Sequence, residues 1–333
     1  MGIPSPEPPG LHRWSDQTTS VMAGLGTLAW LTSHSSTRPT GRPFGCTHSA
    51  SRIEAFFRSV REREHAVWVG EMKRGEKDEG LVVSRSLDIQ LGAGGLRVGA
   101  IQTQQHTNIA LHAGSVKPTS TSASSPHLSG SIRCANLAIR LDSGSLRLAS
   151  IEARNQAAIR SHAGSVRLGN LVSPEVKVVS NAGSVEGTFE VGERLDVQSD
   201  AGHVALDVKL PARTDNHTVQ ARAHSNAGSV RVTYVEQGKG VTLDSSVTSG
   251  TGRVEVKHHP SFEGSFDLLT RVGRLDVSPP RGSGAGGGDE REWVVREDRK
   301  GWTGRHVVGR VGREGMEGRT IVKSEAGAMQ VVF

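Results

Sequence analysis

Ser161-His162-Ala163-Gly164-Ser165-Val166-Arg167-Leu168 is repeated nineteen residues later as Ser180-Asn181-Ala182-Gly183-Ser184-Val185. It returns nineteen residues after that as Ser199-Asp200-Ala201-Gly202-His203-Val204. Each copy runs polar, small, glycine, polar, apolar. Working outward, the Gly-x-apolar centre recurs at Gly94, Gly114, Gly130, Gly144, Gly164, Gly183, Gly202, Gly228, Gly252 and Gly273, with a late copy at Gly327. From Gly144 the steps are 20, 19, 19, 26, 24 and 21 residues, and the earlier ones are 20, 16 and 14. A period near 20 marks a repeat protein.

The corner has a physical reading. Two residues before the glycine stand His112, His162, Asn181, Asp200 or Asn226, residue types enriched among non-glycine residues at positive φ. Glycine then takes backbone angles that side-chain-bearing residues avoid. Around the corner, apolar residues fall at every second place, as in Ile139-Arg140-Leu141, Val176-Lys177-Val178, Leu195-Asp196-Val197 and Val230-Arg231-Val232. That alternation is a strand with one buried face. The copies leave no room for a helix of useful length. A unit of strand, corner, strand and turn cannot bury its apolar face alone, but a stack of units buries it continuously. The expected fold is therefore all-β, a right-handed parallel β-solenoid over residues 81–280.

The flanks read differently. Residues 1–80, with prolines at 4, 6, 8 and 9 and Ser, Thr and Gly in excess as far as residue 51, have the composition of a disordered, low-complexity region. One piece within them, residues 52–68, is amphipathic and compatible with a short helix. Residues 118–129 are Pro-, Thr- and Ser-rich and read as a loop between rungs. Residues 281–292, with Gly286-Gly287-Gly288, read as a flexible linker. Residues 293–333 are expected to supply capping strands, with Trp302 and Phe333 covering the last rung. Residues 21–32 are the most apolar stretch, but the acidic, proline-rich segment before them makes a poor signal peptide, and no run reaches the length of a membrane span. The sequence assigns no compartment.

Composition narrows the function classes. The apolar fraction is 35% and the aromatic fraction 4%, with 41 glycines, which suits a thin aliphatic core. A net charge of +6, spread along the chain without aromatics beside it, does not point to nucleic acid. Cys46 and Cys134 lie far apart and match no metal spacing, and nothing supports their pairing.

Residues 137–210, with their recurring Gly-Ser-[Val/Leu] corners, resemble the adhesin-like β-solenoid domains of bacteria and fungi. The stretch His258-His259-Pro260-Ser261-Phe262-Glu263-Gly264-Ser265-Phe266 resembles the last rungs of the fungal members. The resemblance covers roughly residues 85–280, with a tail match to residue 333. It implies the solenoid fold and little about function, and it brings no catalytic residues.

Catalysis on a solenoid needs carboxylates gathered across neighbouring rungs. Glu152, Glu175, Glu186, Glu193 and Asp196 instead fall at differing repeat positions. The corners lack the aspartates of calcium-binding repeats. His258 and His259 are adjacent, so in a strand they point to opposite faces, whereas His112 and His162 are placed to stack in one column. No catalytic residue, metal site or cofactor is implied. Asn216-His217-Thr218 is a glycosylation sequon in the long Gly202-to-Gly228 repeat.

One pattern suggests a ligand. The second residue after the corner serine is basic at Arg97, Lys117, Arg133, Arg147 and Arg167, and again at Arg231, with breaks at Glu186 and Ala205. In a parallel stack these residues would stand about 4.8 Å apart. Like charges in a ladder repel, so the stripe is either an ordinary solvated face or the seat of an anion such as an acidic polysaccharide, a phosphate group or an anionic membrane surface. The reading is a non-enzymatic, adhesin-like interaction module. The alternatives are a carbohydrate-active enzyme on the same solenoid and an intracellular scaffold.

Overall fold

The computed structural model describes residues 66–68, 72–74, 81–83, 86–98, 100–118, 130–212, 214, 216–279, 292–313 and 317–333. Every regular element among them is a strand, and the strands join in one sheet. Successive turns of the chain stack in parallel. Leu146 pairs with Val166, Val166 with Val185, Val185 with Val204, Val204 with Val230 and Val230 with Val254. The chain is an all-β solenoid whose strands alternate buried and exposed as the sequence does. In Leu146–Ala163, for example, Leu146, Leu148, Ile151, Ala153, Ala157 and Ile159 point inward. These residues and their counterparts on other rungs form one continuous aliphatic core.

The corner shows why its sequence repeats. Between Gly144 and Gly252 the corner glycines have φ from +121° to +148°. They also stack backbone on backbone. A Cβ on Gly183 would lie 2.2 Å from the Gly164 carbonyl oxygen, and the Gly183 amide donates to the Ala201 carbonyl at 2.9 Å. Just before the corner, an inward column changes from leucine (Leu111, Leu141) to serine (Ser161, Ser180, Ser199, Ser225, Ser249). The hydroxyls of Ser199, Ser225 and Ser249 donate to the carbonyls of Gly183, Gly202 and Gly228 on the preceding rung, at 3.5, 3.2 and 3.1 Å. The buried hydroxyl thus satisfies a carbonyl that the sharp turn takes out of the ladder.

Gly130 is not a corner, although it fits the local motif. The next residue, Ser131, pairs with Ala100 and Ser150, far from the glycine column, and Gly144 lies directly against Gly114. The steps of 16 and 14 residues are therefore one long rung of 30. Apart from Pro118 and its strand, the loop expected at 118–129 lies outside the described residues, as do the linker at 281–291 and most of residues 1–80. Ala66–Trp68, the end of the amphipathic piece, is a strand rather than a helix. It pairs antiparallel with residues 89–91 of the first rung, whose open edge supplies backbone partners.

At the other end the rungs leave sequence order. Gly318–Ala326 pairs in parallel with Val241–Thr251 on one side and with Gly264–Val272 on the other. Met329–Val332 is likewise enclosed by Val254–Lys257 and Leu275–Ser278. The final segment is an inserted rung, and not a cap. Trp293–Lys300 and Arg305–Val311 form an antiparallel hairpin that covers Gly264–Val272. Trp302, expected to cap the end, is fully exposed in the hairpin turn, while Phe333 is buried. Phe333 belongs to an aromatic group with His258, Phe262, Phe266 and Trp293.

Candidate functional site

The register brings some of the basic residues together. Arg97 and Lys117 are register partners, Val116 and Leu146 pair so that Lys117 and Arg147 are neighbours, and Arg147 pairs with Arg167. Lys117, Arg147 and Arg167 all point into solvent. Arg133 is not among them. It lies on the segment after Gly130, beside Gln102 and Glu152, and its guanidinium binds Glu152 at 2.9 Å. Its neighbourhood in sequence misled because Gly130 mimics a corner.

The column changes character at its fourth step. Glu186 stands beside Arg167 and accepts from it at 2.8 Å. Ala205 follows, then Arg231, which is bound by Glu255 at 3.2 Å. Lys257 and Arg231 hold the Glu255 carboxyl below the ordinary carboxylate range, the Lys257 hydrogen bond contributing most. Self-neutralisation thus begins at Glu186. Among the described residues, Lys117 and Arg147 have no acidic partner, so the unneutralised charge sits on the early rungs. The sequence carries the same asymmetry. Residues 86–168 hold eight Lys and Arg against three Asp and Glu, whereas residues 169–212 hold three against seven.

A second column runs along the sharp edge itself. His112, Asp142, His162 and Asn181 follow one another on successive rungs. The His112 ring donates to Asp142 at 2.6 Å, His162 lies 3.8 Å from the same carboxylate, and Asn181 meets His162 at 3.1 Å. Further on, Asn226 donates to Asp200 at 3.0 Å. The His112 hydrogen bond, aided by Arg140, holds the Asp142 carboxyl below its usual range against the opposing effect of desolvation. The polar position before the corner thus links rungs by side-chain hydrogen bonds at three places, His112 to Asp142, His162 to Asn181 and Asp200 to Asn226. Among the described residues no three His, Cys, Asp or Glu side chains are arranged to hold a metal ion.

The remaining candidates are accounted for structurally. The Cys134 thiol is buried, and burial pushes it up to about 11, leaving it unreactive at neutral pH. Cys46 lies outside the described residues. His258 turns inward and His259 outward, where its ring meets Ser261 at 2.6 Å. Asn216 is exposed, directly before the strand His217–Ala227. At the last rung Arg305, clamped by Asp298 at 2.6 and 2.8 Å, donates to the Leu275 carbonyl at 3.0 Å and blunts the open strand edge there.

The profile of the Toastrack DUF4097 family matches residues 77–260, more than half of the chain. The chain belongs to the Toastrack family. The matched stretch contains the Toastrack corners from Gly94 to Gly252 and the whole basic column, and it stops before the inserted rung. The match assigns neither an adhesive role nor a fungal affinity. No curated protein and no solved structure matches the chain.

Proposed function

We propose that this Toastrack domain is a non-enzymatic interaction module that binds an acidic polysaccharide along its early rungs. The observation that carries the reading is the early part of the column, where Lys117 and Arg147 stand side by side on one face without an acidic partner, between Arg97 and the Glu186-bound Arg167. A ladder of cations about 4.8 Å apart is unfavourable without a counter-charge. A linear polymer bearing regularly spaced carboxylates or sulfates can follow such a ladder and supply one. The positive charge of the early rungs would also attract such a polymer from a distance.

Co-sedimentation tests the reading. The full chain would be mixed with an insoluble acidic polysaccharide, with a neutral one, and with vesicles containing anionic lipid, at low and high salt. The reading expects saturable binding to the acidic polysaccharide alone, weakened by salt. Preference for vesicles would redirect it to a membrane surface, and binding that ignores charge would refute it.

A further inference from the structure

We infer that residues 318–333 form an exchangeable rung, and that the slot they fill also accepts the same segment from a second copy of the chain. Gly252 and Gly273 are consecutive corners in sequence, yet Gly327 lies between them in space. The Gly252 amide donates to Ala326 and the Gly327 amide to Val272, each at 2.9 Å. Both walls of the slot, residues 241–257 and 264–278, precede the hairpin, and they meet the segment in a common register. Ser245 and Phe266 both pair with Thr320, and Val254 and Leu275 both pair with Met329. The segment's ladder is therefore entirely with residues that a second copy presents in identical form. Reciprocal exchange would preserve every one of these backbone bonds, which is the condition for domain swapping.

Two further observations make the segment suited to leaving. It joins the hairpin through Gly312-Arg313-Glu314-Gly315-Met316-Glu317-Gly318, with three glycines in seven residues, and Gly312 has φ +87°. Its buried face is also poorly satisfied. Thr320 lies beside Ser245, whose hydroxyl is bonded to Tyr234 at 2.6 Å, whereas the hydroxyls of Thr320 and Ser324 are buried without a hydrogen-bond partner in the protein. A rung with unsatisfied polar groups in its core opens more readily than its neighbours.

Cysteine trapping in the full chain tests the inference. Ser249 and Ser324 are register partners. Ser249→Cys with Ser324→Cys, in a chain also carrying Cys46→Ser and Cys134→Ala, can join within one copy or between two. The variant would be held at high concentration in sub-denaturing urea, returned to buffer, oxidised and run on a non-reducing gel. Exchange shifts it from a cross-linked monomer to a covalent dimer, in a proportion that rises with concentration, while each single-cysteine control stays monomeric. A cross-link confined to one copy at every concentration overturns the inference. Should the variant not fold, the unmodified full chain is incubated with a fluorescent peptide of residues 317–333. Stable incorporation of that peptide and not of a scrambled one supports exchange, and exclusion of both overturns it.

Discussion

His258 lies flat against Phe333, with ring centroids 4.8 Å apart and planes within 5° of parallel. The imidazole is also stacked on Tyr234 at 5.2 Å and tilted over Phe262 at 4.4 Å. Neither ring nitrogen has a partner in the protein. Burial pulls its pKa down to about 3. The histidine acts as an aromatic spacer between the crossing residues 258–263 and the end of the inserted rung.

Acid should therefore loosen this end of the solenoid. In the unfolded chain a histidine gains a proton below about pH 6.5. The folded protein keeps His258 neutral until about pH 3. The unfolded state binds more protons in that window, so stability falls as pH drops from about 6.5 toward 3 and is unaffected by this group above it. Two pH units inside the window correspond to a loss of about 3 kcal/mol. Urea unfolding at pH 7 and pH 4.5 checks this, and His258→Phe should remove that part of the loss while keeping the ring stack.

The corner glycines should differ sharply from a turn glycine. Gly183→Ala places a methyl 2.2 Å from the Gly164 carbonyl at φ +134° and is expected to cost about 3 kcal/mol or more. Gly301→Ala meets nothing nearer than 3.5 Å and should stay within about 0.5 kcal/mol. Equal shifts in thermal midpoint for the two variants would refute the backbone stacking described for the corner.

The serine column offers a test in which the sign reverses. Ser225 donates to the Gly202 carbonyl at 3.2 Å, so Ser225→Ala should lose about 1 kcal/mol. The Ser324 hydroxyl has no partner, so Ser324→Ala should be neutral or stabilising by up to about 1 kcal/mol. Chemical denaturation of both variants beside the parent protein measures the difference.

The solenoid was legible because its corner demands glycine for two reasons at once, the positive φ and the approach of the neighbouring rung. Gly130 escaped that logic. It has φ +80° and a following Ser-Ile, but Leu128 stands where most of the early corners carry His112, Asp142, His162, Asn181 or Asp200. That missing polar residue was the available signal, because at several corners the position carries side-chain hydrogen bonds between rungs. Removing Gly130 removes Arg133 from the stripe. The inserted rung was not legible. Ser324-Glu325-Ala326-Gly327-Ala328-Met329 reads as one more corner, and rungs share so similar a backbone edge that sequence order does not dictate stacking order. The pairing of Arg167 with Glu186 was half visible, since Glu186 breaks the basic period. That it neutralises Arg167 needed the register.

Charge reversal on the free part of the column tests the central claim most directly. Lys117→Glu with Arg147→Glu would be compared with Lys239→Glu, an exposed cation in a turn between strands on a later rung. Binding to a soluble acidic polysaccharide would be measured by titration at two salt concentrations. The account predicts that the double variant loses affinity about tenfold or more and flattens the salt dependence, while Lys239→Glu changes little. Equal losses in both variants, or none in either, would contradict it.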